Sequence, residues 1–293
     1  MTSDSQIWER ERVEPTWLAR RLSEPDLRVI DASWYLPATG RDGRAEYLQA
    51  HIPGSVYLDL SRDLADPDAP IRNTVAPPEA LRSVLEASGI GSATRVVVYD
   101  RQNGYSAARV WWVLRLLGHT RVELLHGGLP RWREEGHPVT SRVVPPPPER
   151  FEIKLEPRWI CSRDQVLEAL ARGDTCVVDA RSAARFRGEG PEPALRAGHI
   201  PGARSVPYAS HWCEAEPTRF RSPQALRALY ETAGVRFDRP VITTCGSGVT
   251  ASLAAFVLTG LGHSQVSVYD GSWAEWGNDP KLPVETGDPQ PSR

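Results

Sequence analysis

Sulfur is scarce in this chain: 293 residues hold one methionine and four cysteines, Cys161, Cys176, Cys213 and Cys245. No two cysteines stand in C-x-x-C spacing and no histidine cluster surrounds them, which argues against a zinc site or a disulfide framework. A surplus of charge is missing as well. Against 35 Lys and Arg stand 37 Asp and Glu, a net charge of -2, so no global basic field recruits nucleic acid. No segment approaches the roughly 18 uninterrupted apolar residues of a membrane helix. The opening MTSDSQIWERERVEP is charged and has no apolar run, unlike a secretory signal. The expectation is a cytoplasmic protein with no nucleic-acid and no membrane partner.

What is present is the composition of a globular protein, 40% hydrophobic and 25% charged, in a length that suits two domains. The two domains copy each other. Val29-Ile30-Asp31-Ala32 recurs as Val177-Val178-Asp179-Ala180, His51-Ile52-Pro53-Gly54 as His199-Ile200-Pro201-Gly202, and Gly118-His119 as Gly262-His263. Constant order and nearly constant spacing identify an internal duplication. Between the copies stands Val143-Val144-Pro145-Pro146-Pro147-Pro148, an extended and stiff linker because proline fixes φ and removes a backbone donor. The reading is residues 15–141 as a first domain, 142–158 as linker and 159–285 as a second domain, with FEIKLEP after the prolines running along the surface.

Within each half, short β-rich runs (LRVIDA, RVVVYD and VELLHG, then TCVVDA, RPVITT and VSVYDG) alternate with helical patterns. These patterns are PEALRSVLEASG and AARVWWVLRLLG in the first half, SPQALRALYETAG and TASLAAFVLTGLG in the second, each closed by glycine. Alternation predicts an α/β class, with a mostly parallel sheet in each half and helices on both faces. Ligands of such sheets bind beyond the carboxyl ends of the strands.

Cys245 stands at such an end, between Val241-Ile242-Thr243-Thr244 and an apolar helical run. Gly246 and Gly248 let the backbone of Gly246-Ser247-Gly248-Val249-Thr250 curl with its amides inward. The first helical turn adds free N–H groups and the positive end of its dipole. A nest of this kind stabilises an anion: a thiolate, a persulfide or an oxyanion. The other three cysteines have no such loop and read as small buried hydrophobes. A phosphatase loop of the Cys-x5-Arg type needs an arginine where this chain has Ala251, which disfavours phosphate esters; sulfur transfer needs only the nucleophile and the nest.

At this point the sequence resembles the tandem-domain rhodanese-type sulfurtransferases. The resemblance is carried by DASWYLP (31–37), HIPG (51–54), RVWWVLRLLGH (109–119), GGLPRW (127–132), VVDARSAARFRG (177–188), GHIPGA (198–203), CGSGVTA (245–251) and YDGSW (269–273). It implies two rhodanese-like domains with catalysis in the C-terminal one. The repeat sets Asp100 opposite Cys245, so the first half has no nucleophile. The loop Cys-Gly-Ser-Gly-Val-Thr resembles the 3-mercaptopyruvate sulfurtransferases; thiosulfate-preferring relatives carry Cys-Arg-Lys-Gly-Val-Thr. The resemblance further implies a substrate clamp by Arg185, a second substrate arginine near Arg196, and Tyr105 facing the loop from the first half. Ser247 would hydrogen-bond the ketone of the donor or relay a proton, in relatives together with a histidine and an aspartate of the N-terminal domain. Here Ser61 stands for the aspartate, and Asn73 or Thr74 for the histidine. His51 and His199 occur in both halves and read as turn residues. The implied chemistry moves sulfur from a small-molecule donor, through a Cys245 persulfide, to a thiol such as thioredoxin or a low-molecular-weight thiol, or to cyanide, with no cofactor and no metal. Thiosulfate is the alternative donor, and Arg101 or Arg196 would then supply charge from outside the loop. A non-catalytic binding module is the rival of another class.

Overall fold

The computed structural model describes residues 4–288. The first half runs α1 (Asp4–Glu11), β1 (Arg12–Val13), α2 (Pro15–Ala19), β2 (Leu27–Asp31), α3 (Gly43–Gln49), β3 (Val56–Tyr57), α4 (Pro78–Ala87), β4 (Arg95–Tyr99), α5 (Tyr105–Leu116), β5 (Val122–Leu125) and α6 (Gly128–Glu134). The second runs β6 (Ile160–Cys161), α7 (Arg163–Arg172), β7 (Cys176–Asp179), α8 (Ala183–Arg187), β8 (Arg204–Ser205), α9 (Pro223–Thr232), β9 (Val241–Thr244), α10 (Val249–Gly260), β10 (Val266–Tyr269) and α11 (Ser272–Trp276). Each half builds one parallel five-stranded sheet, in the orders β1-β5-β4-β2-β3 and β6-β10-β9-β7-β8. The duplication read in the sequence is therefore a duplication of topology. The strand that leads into the cysteine loop, β9, is the middle strand of its sheet, as β4 is in the first half.

The six β-rich runs are the six longest strands. Their near-continuous apolar character suits strands covered on both faces. The four edge strands have two residues each and offer no periodicity to read. The four helical patterns are α4, α5, α9 and α10. The glycines that close them, Gly89, Gly118, Gly234 and Gly262, have φ of 68°, 85°, 85° and 85°, the left-handed conformation that ends a helix at little cost only with glycine.

α5 and α10 pack against each other where the halves meet. Residues 105–114 of α5 and all but two residues of α10 are buried. A helix apolar on every side must be covered on every side, and each of these has its own sheet on one flank and the other half on the other. One core joins both halves, with Trp111, Trp112, Phe256 and Leu258 all fully buried in it. α1 crosses to the second half, where Trp8 meets Phe220 and Phe256 at ring centroid distances of 5.3 and 5.7 Å. Gly260 makes room: a Cβ there would stand 2.4 Å from the Trp8 ring.

Residues 142–156 hold no regular element, as four consecutive prolines require. FEIKLEP departs from the expected surface course. Phe151 is 3% exposed, and the amides of Lys154 and Glu156 donate to the carbonyls of Leu117 and Leu116 at 3.0 and 2.8 Å. An alternating apolar pattern of only two residues, Phe151 and Ile153, concealed that docking. Among the described residues no helix is long and apolar enough to cross a membrane.

Candidate active site

Cys245 follows β9 directly and is 2% exposed. The loop behind it is shaped from β10 and α11. Ser272 Oγ accepts from the amides of Cys245 (3.2 Å) and Gly248 (3.0 Å) and donates to the Tyr269 carbonyl (2.8 Å). These three bonds satisfy a hydroxyl fully. Ser272 holds φ at 49°, uncommon outside glycine, and the three bonds offset that strain. The carbonyls of Cys245 and Gly246 accept from the amides of Trp273 and Ala274, both at 2.9 Å. Gly248 has φ of 76°, and a Cβ there would stand 2.7 Å from Asp270 Oδ1. The amides of Gly246, Ser247, Val249 and Thr250 take no acceptor from the described residues.

The first half shows what such a loop binds. Asp100 occupies the place of Cys245, and its carboxylate fills its own loop. Oδ1 accepts from the amides of Gln102 and Gly104 at 3.0 and 3.1 Å, and Oδ2 from Ser106 Oγ and the Ala107 amide at 2.9 and 3.3 Å. Gly104 and Gly248 cap equivalent helices with φ of 67° and 76°. The same strand–loop–helix geometry thus holds an anion in one copy and presents a sulfur in the other.

Arg185 comes from α8, which follows β7, the neighbour of β9. A methyl built on Gly246 would stand 3.2 Å from Arg185 Nη2 and 3.4 Å from Nη1, so the end of the guanidinium faces the loop. Its side edge is held by Glu192, with Nε and Nη2 donating at 3.0 and 2.8 Å. Arg181 is buried, paired with Asp179 at 2.6 Å and Glu192 at 2.9 Å, and lies over the Trp273 ring at 4.4 Å. Two arginines and two carboxylates balance, so this side of the loop offers directed donors without surplus positive charge.

The remaining candidates divide. Ser247 lies in the loop, and Asn73 Nδ2 donates to its Oγ at 3.5 Å. Of the two candidates for the histidine position, Asn73 is the one in contact. The Arg196 guanidinium is committed to the carbonyls of Trp276 (2.8 Å), Leu282 (2.7 Å), Gly277 and Asp279 behind α11; the placement among substrate residues gives way to a helix-capping role. The Tyr105 hydroxyl donates to Gln102 at 2.6 Å and its ring meets Tyr208 edge-on at 5.9 Å, neither of them a loop residue. Gly104 beside it does face the second half, at Trp212 and Phe220. Arg101 is tied to Asp31 and the Ala50 carbonyl.

His51 and His199 are both wholly buried, bonded through Nδ1 to the carbonyls of Tyr47 and Phe186 at 2.7 and 2.8 Å and stacked on those same rings, the turn role that their duplication indicates. Burial pushes the Cys161 and Cys176 thiols up, to about 12 and about 11, which leaves them unreactive. Sequence reasoning missed Glu192, Ser272 and the pair Arg109–Asp270, which meet across the interface at 2.6 Å with both side chains buried. Each lies inside or beside a stretch singled out above, but carries no spacing that announces a contact.

A model of the Rhodanese-like domain matches residues 14–135 and 162–279. Over 275 residues the chain is 38% identical to a 3-mercaptopyruvate sulfurtransferase of Homo sapiens, with 91% of this chain and 92% of that one covered. It is 39% identical over 293 residues to a thiosulfate sulfurtransferase of Bos taurus, with 96% of each covered. Its fold matches the crystal structure of SseA from Escherichia coli, described as showing the rhodanese fold and catalytic mechanism of 3-mercaptopyruvate sulfotransferases, with a TM-score of 0.82 and 34% identity over 90% of this chain and 98% of that one.

Proposed function

The chain belongs to the rhodanese family, and from that premise we propose that it is a sulfurtransferase taking its sulfur from 3-mercaptopyruvate. Residues 159–285 carry the chemistry, residues 15–141 complete the site from the other side, and 142–158 join them. The Cys245 thiolate attacks the donor sulfur. A persulfide forms on Cys245, cradled by the amides of Gly246, Ser247, Val249 and Thr250 in the loop that Gly248 turns and Ser272 holds, and pyruvate leaves. A thiol such as thioredoxin or a low-molecular-weight thiol, or cyanide, then removes the outer sulfur, completing a ping-pong cycle. Four cysteines, none in a disulfide, suit a reducing compartment such as the cytoplasm.

The observation that carries the choice of donor is the charge around the loop. No cation lies between Cys245 and α10, and Arg185 is already half engaged by Glu192. The free end of one guanidinium matches one carboxylate. A dianion such as thiosulfate would need more, and the arginines expected to supply it from outside, Arg101 and Arg196, are bound elsewhere. Near-equal identity to relatives named for either donor does not separate them, so the loop does.

The test is sulfur transfer to cyanide, read as thiocyanate, with both donors side by side and Cys245→Ser as the blank. The expected result is a kcat/KM at least ~10-fold higher with 3-mercaptopyruvate, equivalent to about 1.4 kcal/mol, and none in the blank. A preference for thiosulfate would overturn the donor, and an active blank would overturn the nucleophile.

A further inference from the structure

Three side chains of the first half lead to Ser247 in a row. Trp34 Nε1 donates to Ser61 Oγ at 2.8 Å, Ser61 Oγ donates to Asn73 Oδ1 at 2.8 Å, and Asn73 Nδ2 donates to Ser247 Oγ at 3.5 Å. The direction is set at the far end. An indole nitrogen only donates, so Ser61 accepts from Trp34 and passes its own proton forward. Asn73 must meet that proton with its carbonyl, which turns its NH2 group toward Ser247. Ser247 Oγ, having accepted, keeps its O–H for whatever lies in the loop. No member of the row titrates in the working range of pH.

Asn73 is held for this task. It is 5% exposed with φ of 66°, a left-handed conformation that asparagine adopts more readily than most residues. Its carbonyl accepts from Arg109 Nη2 at 2.8 Å, and Arg109 pairs with Asp270 at 2.6 Å. The other Asp270 oxygen accepts from the Val75 amide at 2.8 Å. The segment bearing Asn73 is thus fastened to the residues just before Ser272, which shape the cysteine loop.

We infer that Trp34, Ser61 and Asn73 are positioning residues that make Ser247 a fixed hydrogen-bond donor to the oxyanion formed as the donor molecule loses its sulfur. The inference rests on 3-mercaptopyruvate as donor. In that step the Cys245 S–S bond forms and the C–S bond breaks. Its electron pair moves into the ketone and yields the enolate of pyruvate, whose oxygen Ser247 meets. The thiol proton of the donor travels with the sulfur as Cys-S-SH. It is then given to the enolate carbon, leaving a persulfide anion and pyruvate. Charge and protons balance without a base from the protein, so a row of neutral donors suffices.

Removing one oxyanion donor typically lowers kcat by ~100–1,000-fold. Ser247→Ala is therefore expected to lower kcat with 3-mercaptopyruvate by roughly 100-fold, at little change in KM. Asn73→Gly, which keeps the left-handed backbone, is expected to lower it by roughly 10-fold, and the Ser247→Ala/Asn73→Gly pair no further than Ser247→Ala alone. Asn73→Asp replaces the donor by a carboxylate that draws the Ser247 proton back. Its kcat is expected to fall at neutral pH and recover as the pH is lowered through the range in which that carboxyl protonates. A wild-type enzyme idle with 3-mercaptopyruvate would sink the donor reading and this inference with it. A wild-type enzyme active with that donor, paired with multiplicative losses in the double variant or an Asn73→Asp enzyme as fast as wild type at neutral pH, would overturn this inference alone.

Discussion

Gly246 and Gly248 stand two residues apart in one loop, yet replacing each by alanine should fail in different ways. Gly248 has φ of 76°, which costs an L-residue about 1–2 kcal/mol. Its new Cβ would meet Asp270 Oδ1 at 2.7 Å, the Asp270 carbonyl at 2.9 Å and Arg109 Nη1 at 3.1 Å. One of these is backbone, and the others form the buried ion pair between the halves. Prying such a pair apart costs about 3–5 kcal/mol, so even partial displacement brings the total for Gly248→Ala to about 3–5 kcal/mol. For a cooperative unit of this size that lowers the melting temperature by roughly 5–8 °C. At Gly246 the nearest atoms are the flexible end of Arg185, at 3.2 and 3.4 Å. Arg185 gives way by a few tenths of an ångström, and stability changes by no more than about 0.5 kcal/mol. What is lost is the aim of the clamp. A charge-assisted hydrogen bond is worth about 1.5–3 kcal/mol, so kcat/KM for the donor falls by roughly 10–150-fold. Calorimetry and donor kinetics on the two variants check this. Equal melting temperatures, or a Gly246→Ala enzyme with unchanged kcat/KM, would refute the contact geometry from which both figures follow.

Arg109→Met leaves Asp270 buried without its counter-charge and should destabilise the protein by about 3–5 kcal/mol; adding Asp270→Leu should restore part of this in urea titrations, because the orphaned charge goes with it. At Glu14, burial pushes the carboxyl up, but the hydrogen bond from His126 and the charges of His126, Arg12 and Arg131 outweigh it and bring it down to about 2. A carboxyl depressed in the folded state stabilises above its unfolded pKa, and that stability is lost as the pH falls from about 4.5 toward 2. With the side chain 36% exposed, solvent screening reduces the effect to about 1–2 kcal/mol. Glu14→Gln should therefore lose less stability than wild type between pH 5 and pH 2.5 in denaturant titrations.

The fold was legible to the extent that it repeats a pattern. Strands covered on both faces are written as apolar runs, and helices closed by glycine end where the glycine stands. Edge strands of two residues, and the docking of Phe151, carry no period and were invisible. In the site, Cys245 and its loop could be read because a strand, a nucleophile, two glycines and a helix are contiguous in the chain. Arg185 needed the family resemblance, since three arginines within seven residues look alike until Asp179 and Glu192 take their shares. Arg196 stands near the family's second substrate arginine only by resemblance, and the carbonyls that hold its guanidinium lie some eighty residues further along. Asn73 and Ser61 were noticed only as departures from a titrating relay. Their contacts join residues far apart in the chain, and direction along a row of hydrogen bonds is a property of space.

The carboxylate that Asp100 inserts into its own loop has a consequence for how a duplicated chain diverges. A copy that gives up its nucleophile still inherits inward-pointing amides, and left empty they would be a standing vacancy for any passing anion. Asp100 closes that vacancy from within, both oxygens of its carboxylate being taken up by its own loop. Gly104 stands four positions after Asp100, where Gly248 stands three after Cys245, so a cysteine placed at position 100 would meet a loop of a different length. A single exchange at position 100 would therefore not reproduce the cysteine loop of the second half, because the two loops differ in length as well as in the residue that opens them.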